Sequence, residues 1–337
     1  MTGVLARMMR TVPRTLDDLL EGATERTPLG PTAEGLSSAT FERVQLDGAS
    51  YVIKHISLAT DWVMRATHDT GVPRVVRLWA TGMFDELPPE IDTATVSCAY
   101  DPDTGDTTIL MRDVGPHMLP DPEPIDGAQH ARFLDHMAAL HVATWRLTDD
   151  IGLAAPGLRW AMLGPSLTAR EAAFGVTTGV PSIVAGLWAR LAEVDPDTHR
   201  VLEALAADPR PLVRALERTP RALVHGDWKG GNLGSHPDGR TILIDWAFPG
   251  VDAPCADLAW YLGVNCDRLP ESKEAAIARY RSALEARGID TGPWWDTQLP
   301  LALLGCAVQQ AWSKCDQPEE LAWWSAVVRR AAPLLAA

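Results

Sequence analysis

The spacing of apolar and polar positions changes character near residue 114. Before it the apolar runs are short and alternate with a period of two, the signature of strands with one buried face. The runs 41–46 and 51–56 flank Asp47-Gly48, a dipeptide that tolerates the backbone of a tight hairpin turn and so predicts an antiparallel pair. The runs 96–100 and 107–111 form a second such pair around Asp101-Pro102-Asp103-Thr104-Gly105-Asp106. A short helix is expected at 16–20, with Thr15 as its cap. Glycine and proline then crowd the segment 115–127 and mark a boundary. Beyond it, Phe133, Met137, Leu140 and Trp145 recur near helical spacing within 131–145, and 167–174, 183–194 and 198–206 read as further helices punctuated by Pro181, Pro196 and Pro209. The pattern is α+β: residues 1–114 as a small lobe of antiparallel strands with a helix, and 115–337 as a larger, mainly helical lobe.

One stretch, 221–246, carries most of the chemistry. Two apolar runs, 222–224 and 241–244, read as strands, and Pro237-Asp238-Gly239 supplies turn chemistry that lets them pair. Asp227 follows His225-Gly226, Asn232 comes five positions later, and Asp245 leaves the second run ahead of Trp246. A base, an amide oxygen and a second carboxylate suit phosphoryl transfer, because the transferred group is anionic and the magnesium that screens it prefers oxygen ligands. A plain surface turn would also be rich in Asp, Asn and Gly, and Gly230-Gly231 fit either reading. By the strand period, Lys54 shares a face with Val52 and Ile56, so it is either an edge lysine with its head in water or a functional cation.

The stretch resembles the aminoglycoside phosphotransferase family, small-molecule relatives of the protein kinases, whose catalytic loop reads His-Gly-Asp, four residues, Asn. The resemblance implies a two-lobed protein-kinase-like fold and a kinase that takes ATP or GTP with magnesium. On it, Asp227 accepts the proton of the substrate hydroxyl, Asn232 and Asp245 hold magnesium, and His225 braces the loop. Lys229 stands where protein kinases carry a lysine near the transferred phosphate, and Lys54 matches the third-strand lysine that holds the inner phosphates. The phosphate-covering loop falls to Gly35-Leu36-Ser37-Ser38, with Gly35, Ser37 and Ser38 as its small residues, although the protein-kinase glycine pattern is missing. Arg112-Asp113-Val114 follows the strand that would feed the hinge, so Asp113 and Val114 would offer backbone groups to the purine. Asp257 opens an Asp-Leu-Ala helix and would accept amide hydrogens from the catalytic loop. The chain departs from the family where a helix glutamate usually pairs with the strand lysine: 61–69 has none, leaving Asp61 and Asp69 as acidic candidates, each four residues from Arg65.

Composition narrows the partners. A chain of 337 residues with 46% hydrophobic content buries one large or two modest cores. A net charge of −14 argues against nucleic acid or an anionic membrane as partner and suits a cationic acceptor. The five cysteines, Cys98, Cys255, Cys266, Cys306 and Cys315, show neither a disulfide nor a zinc spacing, which points to a reducing cytoplasm. His136 and His141 are five apart, off the spacing that puts two metal ligands on one helix face, and read as core or surface residues. Trp294, Trp295, Trp312, Trp323 and Trp324 read mainly as packing anchors, with a cation-receiving surface as the alternative. The expected activity is transfer of a phosphate to a hydroxyl of a small molecule such as an aminoglycoside, amino sugar or amino alcohol. A nucleotide-binding pseudokinase is the rival. A protein kinase fits less well, since only eleven residues separate Asp245 from Asp257, too few for a peptide-docking segment.

Overall fold

A computed structural model describes residues 10–30, 39–67, 71–120, 122–175 and 180–336. The chain forms two compact units, one built from residues up to 121 with 149–153 and 231–247, the other from 122–148, 154–230 and 248–337.

The first unit begins with strands β1 (Thr24–Leu29), β2 (Thr40–Leu46) and β3 (Ala49–Ile56), and helices α1 (Trp62–Thr67) and α2 (Arg74–Ala80) follow. Then come β4 (Ile91–Asp92), β5 (Thr95–Tyr100) and β6 (Thr107–Arg112). Five of these strands make one antiparallel sheet in the order β1-β2-β3-β6-β5. Asp47 and Gly48 take φ of 51° and 76°, the mirror-image turn whose twist matches a two-residue hairpin, and Leu46 pairs with Ala49 across it. Residues 16–20 are a run of turns rather than the expected helix, closed by Leu20 N–H to the Leu16 carbonyl at 2.9 Å. So short a segment gains too few hydrogen bonds to nucleate a helix, and Leu16 packs into the core with Val44, Ile53, Ala99 and Leu110 instead.

The second unit opens with α3 (Gly127–Ala143), capped by Asp126, whose carboxylate accepts from the amides of Ala128 at 2.8 Å and Gln129 at 3.2 Å. Its buried stripe includes Phe133, Leu134, Met137, Leu140 and His141. Helices α4 (Leu158–Ala161), α5 (Pro165–Ala173), α6 (Val180–Val194), α7 (Pro196–Ala207) and α8 (Arg210–Leu216) lead to a fully buried strand, β7 (Ala222–Val224). The chain then contributes β8 (Leu233–Ser235) and β9 (Thr241–Leu243) to the first unit, and β10 (Gly250–Asp252) to the second.

The expected pairing of 222–224 with the run at 241 does not occur. β7 pairs with β10, Val224 opposite Gly250, while β9 pairs with β8 across the Pro237-Asp238-Gly239 turn and, in parallel, with β4. The missed strand is three residues with a glycine at its centre. Gly234 lies so close to the His117 carbonyl that a Cβ there would sit 2.7 Å from it, so close approach of backbone, with no apolar alternation, defines β8.

The second unit ends in α9 (Cys255–Val264), α10 (Lys273–Ala286), α11 (Trp295–Gln310) and α12 (Pro318–Ala331). Ten consecutive residues of α11, from Leu301, are buried, and Gly305 lets the indole of Trp160 lie where a Cβ would be 2.6 Å from it. Trp294, Trp295, Trp312 and Trp324 are buried, whereas Trp323 is half-buried and donates to Glu274 Oε1 at 2.8 Å. Among the described residues no helix is long and apolar enough to cross a membrane.

Candidate functional site

The expected site residues fall in both units. Lys54, Asp113, Val114, Asn232 and Asp245 belong to the first, Asp227 and Lys229 to the second, and Gly230-Gly231 joins the two sets along the chain. Gly35, Ser37 and Ser38 lie outside the described residues, as does Asp69.

In the first unit Lys54 sits on β3, an interior strand between β2 and β6, with only 7% of its surface exposed, so the edge-lysine alternative falls away. Its ammonium donates to Asp245 Oδ1 at 2.8 Å and lies 5.8 Å from the ring centre of Phe41. Such a counter-charge offsets the loss of hydration of a buried ammonium. Asp245 follows β9 with φ of 62°, a left-handed conformation uncommon outside glycine. Asp61 is buried too. Its Oδ1 accepts from the amides of Val63 at 2.8 Å and Met64 at 3.2 Å and so caps α1. Burial pushes the Asp61 carboxyl above its usual range, against the pull of those amides and of Lys54. The acceptor for the Lys54 ammonium is thus Asp245, 191 residues away in the chain.

Asn232 and Asp245 flank the same end of the β8–β9 hairpin: Leu233 pairs with Leu243, and the Ile244 amide donates to the Asn232 carbonyl at 3.1 Å. Their side chains offer an amide oxygen and a carboxylate. No cluster of three or more His, Cys, Asp or Glu suited to a metal occurs among the described residues. The pair fits magnesium, which is commonly held by one or two protein oxygens and completes its shell with water and phosphate oxygens.

At the end of β6, the Asp113 carboxylate accepts from Arg43 Nε at 2.7 Å, Ser50 Oγ at 2.9 Å and the Gly115 amide at 3.2 Å. These donors outweigh burial and hold its carboxyl below the usual range. The Asp113 amide donates to the Ser50 carbonyl, and the Val114 carbonyl accepts from the His117 amide. Neither the Asp113 carbonyl nor the Val114 amide is hydrogen-bonded among the described residues. This acceptor and donor suit the edge of a purine.

In the second unit β7 runs into His225-Gly226-Asp227. Gly226 has φ of 76°, and a Cβ there would stand 2.4 Å from the Phe248 carbonyl oxygen, so only glycine fits. Asp257, in the first turn of α9 and fully buried, accepts from the His225 amide at 2.7 Å and the Gly226 amide at 2.8 Å. Burial opposes its charge, but His141, His225 and these amides outweigh it and hold the carboxyl below the usual range. His141 is a fully buried core residue bonded to Tyr280 at 2.6 Å. His225 Nδ1 accepts from the Asp227 amide at 3.2 Å, closing the turn.

Asp227 is 6% exposed. Its Oδ1 accepts from the Trp260 indole at 2.8 Å and lies 3.6 Å from Arg159 Nη2, while Lys229 Nζ is 3.7 Å from Oδ2. Trp260 comes three residues after Asp257, one helical turn along the same face of α9. The Arg159 guanidinium carbon lies over the rings of both Trp260 and Phe248, 4.2 and 4.5 Å from their centres. Asn265 accepts from the Gly230 amide at 2.8 Å and donates to the Tyr261 carbonyl at 2.8 Å, tying the end of α9 to the loop. A cavity beside this loop is lined by Arg159, Trp160, Gly226, Phe248, Trp260 and Gln309, among others.

Sequence reasoning missed Arg159, Trp260 and Asn265. For Trp260 a signal existed in its helical offset from Asp257. Arg159 is the single charge in the eleven residues 154–164, a weak hint, and Asn265 had none.

A family model described as the phosphotransferase enzyme family matches residues 29–290. Among solved structures, the choline kinase LicA from Streptococcus pneumoniae aligns with a TM-score of 0.52 at 12% identity, over 95% of this chain and 97% of that one. The spectinomycin phosphotransferase APH(9)-Ia, solved with ADP and spectinomycin, aligns with a TM-score of 0.52 at 14% identity over the same shares, 95% and 97%. Likeness at this identity speaks to the fold, which is the two-lobed α+β kinase-like one. A search of curated proteins finds no match.

Proposed function

We propose that this chain, which belongs to the phosphotransferase enzyme family, moves the terminal phosphoryl group of ATP or GTP to a hydroxyl of a small molecule such as an aminoglycoside, an amino sugar or an amino alcohol. The observation that carries the reading is the fixed carboxylate of Asp227, whose Oδ1 is engaged by Trp260 while the loop behind it is tied to Asp257. A base held in place before its substrate arrives needs no reorganisation in the transition state.

In this reading Asp227 orients the acceptor hydroxyl and takes its proton. Lys229 supplies positive charge near the moving phosphoryl group. Lys54 holds the inner phosphates of the nucleotide, and Gly35, Ser37 and Ser38 cover them. The Asp113 carbonyl and Val114 amide meet the purine. Asn232 and Asp245 would hold magnesium, which supplies charge screening of the phosphates when bound. Five free cysteines, four of them buried, suit a reducing cytoplasm, and the net charge of −14 disfavours nucleic acid and anionic membrane as partners.

The test is magnesium-dependent release of ADP or GDP by the purified protein against a panel of aminoglycosides, amino sugars and amino alcohols. Asp227→Asn keeps the size of the side chain but not its basicity, and turnover is expected to fall by about 100-fold or more with nucleotide binding intact. Turnover that persists in that variant refutes the assignment.

A further inference from the structure

We propose that Arg159 is a positioning residue for Asp227: held over the rings of Phe248 and Trp260, it acts with the Trp260 indole to hold Oδ1 and turn Oδ2 toward the hydroxyl to be phosphorylated. The proposal rests on the reading of Asp227 as the base. All four residues belong to the second unit.

Three observations carry it. The guanidinium carbon lies over two rings, 4.2 Å from the Trp260 centre and 4.5 Å from that of Phe248, so two aromatic contacts hold the cation beside the carboxylate. Its Nη2 is shut off from solvent and makes no hydrogen bond, yet lies 3.6 Å from Asp227 Oδ1. A guanidinium held only for packing would be expected to direct its donors at carbonyl groups, since an unsatisfied buried donor is destabilising. Finally, Trp260 does two jobs: its ring stacks on Arg159 and its N–H donates to the same Oδ1 at 2.8 Å. Arginine, indole and carboxylate therefore form one unit in which displacing any member releases the other two.

The chemical consequence concerns which oxygen works. A cation faces each oxygen, Arg159 at Oδ1 and Lys229 at Oδ2, but the indole hydrogen bond is made to Oδ1, which fixes that oxygen and assigns the proton to Oδ2. In the transfer the hydroxyl O–H bond breaks with its proton going to Asp227 Oδ2, and the oxygen forms a bond to the terminal phosphorus. The bond from that phosphorus to the bridging oxygen breaks, and its electron pair leaves with the nucleoside diphosphate. Without the clamp the carboxylate rotates, and fewer encounters present Oδ2 to the hydroxyl. Binding of nucleotide, which uses residues of the first unit, is unaffected.

The experiment uses magnesium-dependent ATP hydrolysis, with water as the acceptor, on the full chain. Arg159→Ala is expected to lower kcat by about tenfold or more with KM for ATP within about twofold, and guanidinium at about 30 mM to restore several-fold of the lost rate. Trp260→Phe keeps an aromatic face, though a smaller one, and removes the N–H, and should lower kcat by about three- to tenfold. Arg159→Lys keeps the charge without the flat faces and should remain closer to alanine than to arginine. A readout independent of turnover is hydrogen exchange of the Trp260 indole N–H, identified by its disappearance in Trp260→Phe. Its exchange should quicken by about tenfold in Arg159→Ala and slow again with guanidinium. Unchanged kcat, or a fall that guanidinium does not reverse, overturns the proposal; so does unchanged exchange where hydrolysis is too slow to measure. Failure of the underlying reading looks different: hydrolysis would then survive Asp227→Asn.

Discussion

Asp257→Asn probes the foundation of the catalytic loop. The wild-type carboxylate accepts two amide hydrogens, from His225 at 2.7 Å and Gly226 at 2.8 Å, and its Oδ2 lies 3.3 Å from His141 Nε2. Asparagine preserves the shape but presents one oxygen and one NH₂ group. One of the two amides must then face a donor, in a place where Asp257 is wholly buried. An orphaned buried donor costs about 1–3 kcal/mol, and losing the charge that strengthens the surviving bond adds about 1 kcal/mol, so the expected loss is about 3 kcal/mol. The pH dependence follows from the depressed carboxyl of Asp257. A depressed carboxylate contributes stability that is complete above its unfolded value, about 3.9, and is lost as pH falls through the folded value. The gap between wild type and Asp257→Asn should therefore be full at neutral pH and shrink in strong acid. Urea unfolding followed by fluorescence of the 13 tryptophans measures it. A variant within about 0.5 kcal/mol of wild type at pH 7 refutes the claim that this carboxylate anchors the loop.

Other outcomes are equally direct. Gly226→Ala, with positive φ and the Phe248 carbonyl 2.4 Å from the new Cβ, should lose about 2–4 kcal/mol in the same unfolding assay and most of its activity. Lys54→Met should cut kcat/KM for nucleotide by about 100-fold, whereas its effect on unfolding should stay near 1 kcal/mol because Asp245 is partly open to solvent. Burial pushes the Asp252 carboxyl up to about 6. A raised carboxyl favours folding below its unfolded value and loses that contribution as pH climbs through about 6, so Asp252→Asn should be the more stable protein at pH 7.5, by about 1 kcal/mol, and should show a flatter stability profile between pH 4 and 6.

What was legible in the sequence had local causes. Asp47-Gly48 announced its hairpin because two adjacent residues with positive φ leave a compositional mark. The alternation on β3 put Lys54 on an otherwise apolar face and left open an edge residue or a functional cation, and the spacing of Asp227, Asn232 and Asp245 picked out candidate residues. What was hidden depends on distance along the chain. Nothing near Lys54 names Asp245 as its partner, and nothing near Arg159 names Asp227. β7 was matched to the wrong strand because the true partners, β10 for β7 and β8 for β9, are three residues each, begun by or centred on glycine, and carry no period. The turn at Pro237-Asp238-Gly239 was read correctly as a turn, but the strand it serves begins only at Leu233. Residues 16–20 show the converse: a helical composition too short to outweigh the burial of Leu16.

The face of α9 that carries Asp257 and Trp260 sets different rules for mutational drift at three neighbouring positions. Asp257 grips the backbone of residues 225 and 226, so these two hydrogen bonds do not depend on which side chain follows β7. Trp260 grips the side chain of residue 227, so those two positions answer to each other. In a library that randomises both stretches and is selected for folding alone, 227 and 260 should change in concert, while 257 should stay aspartate for as long as the 225 and 226 amides need an acceptor.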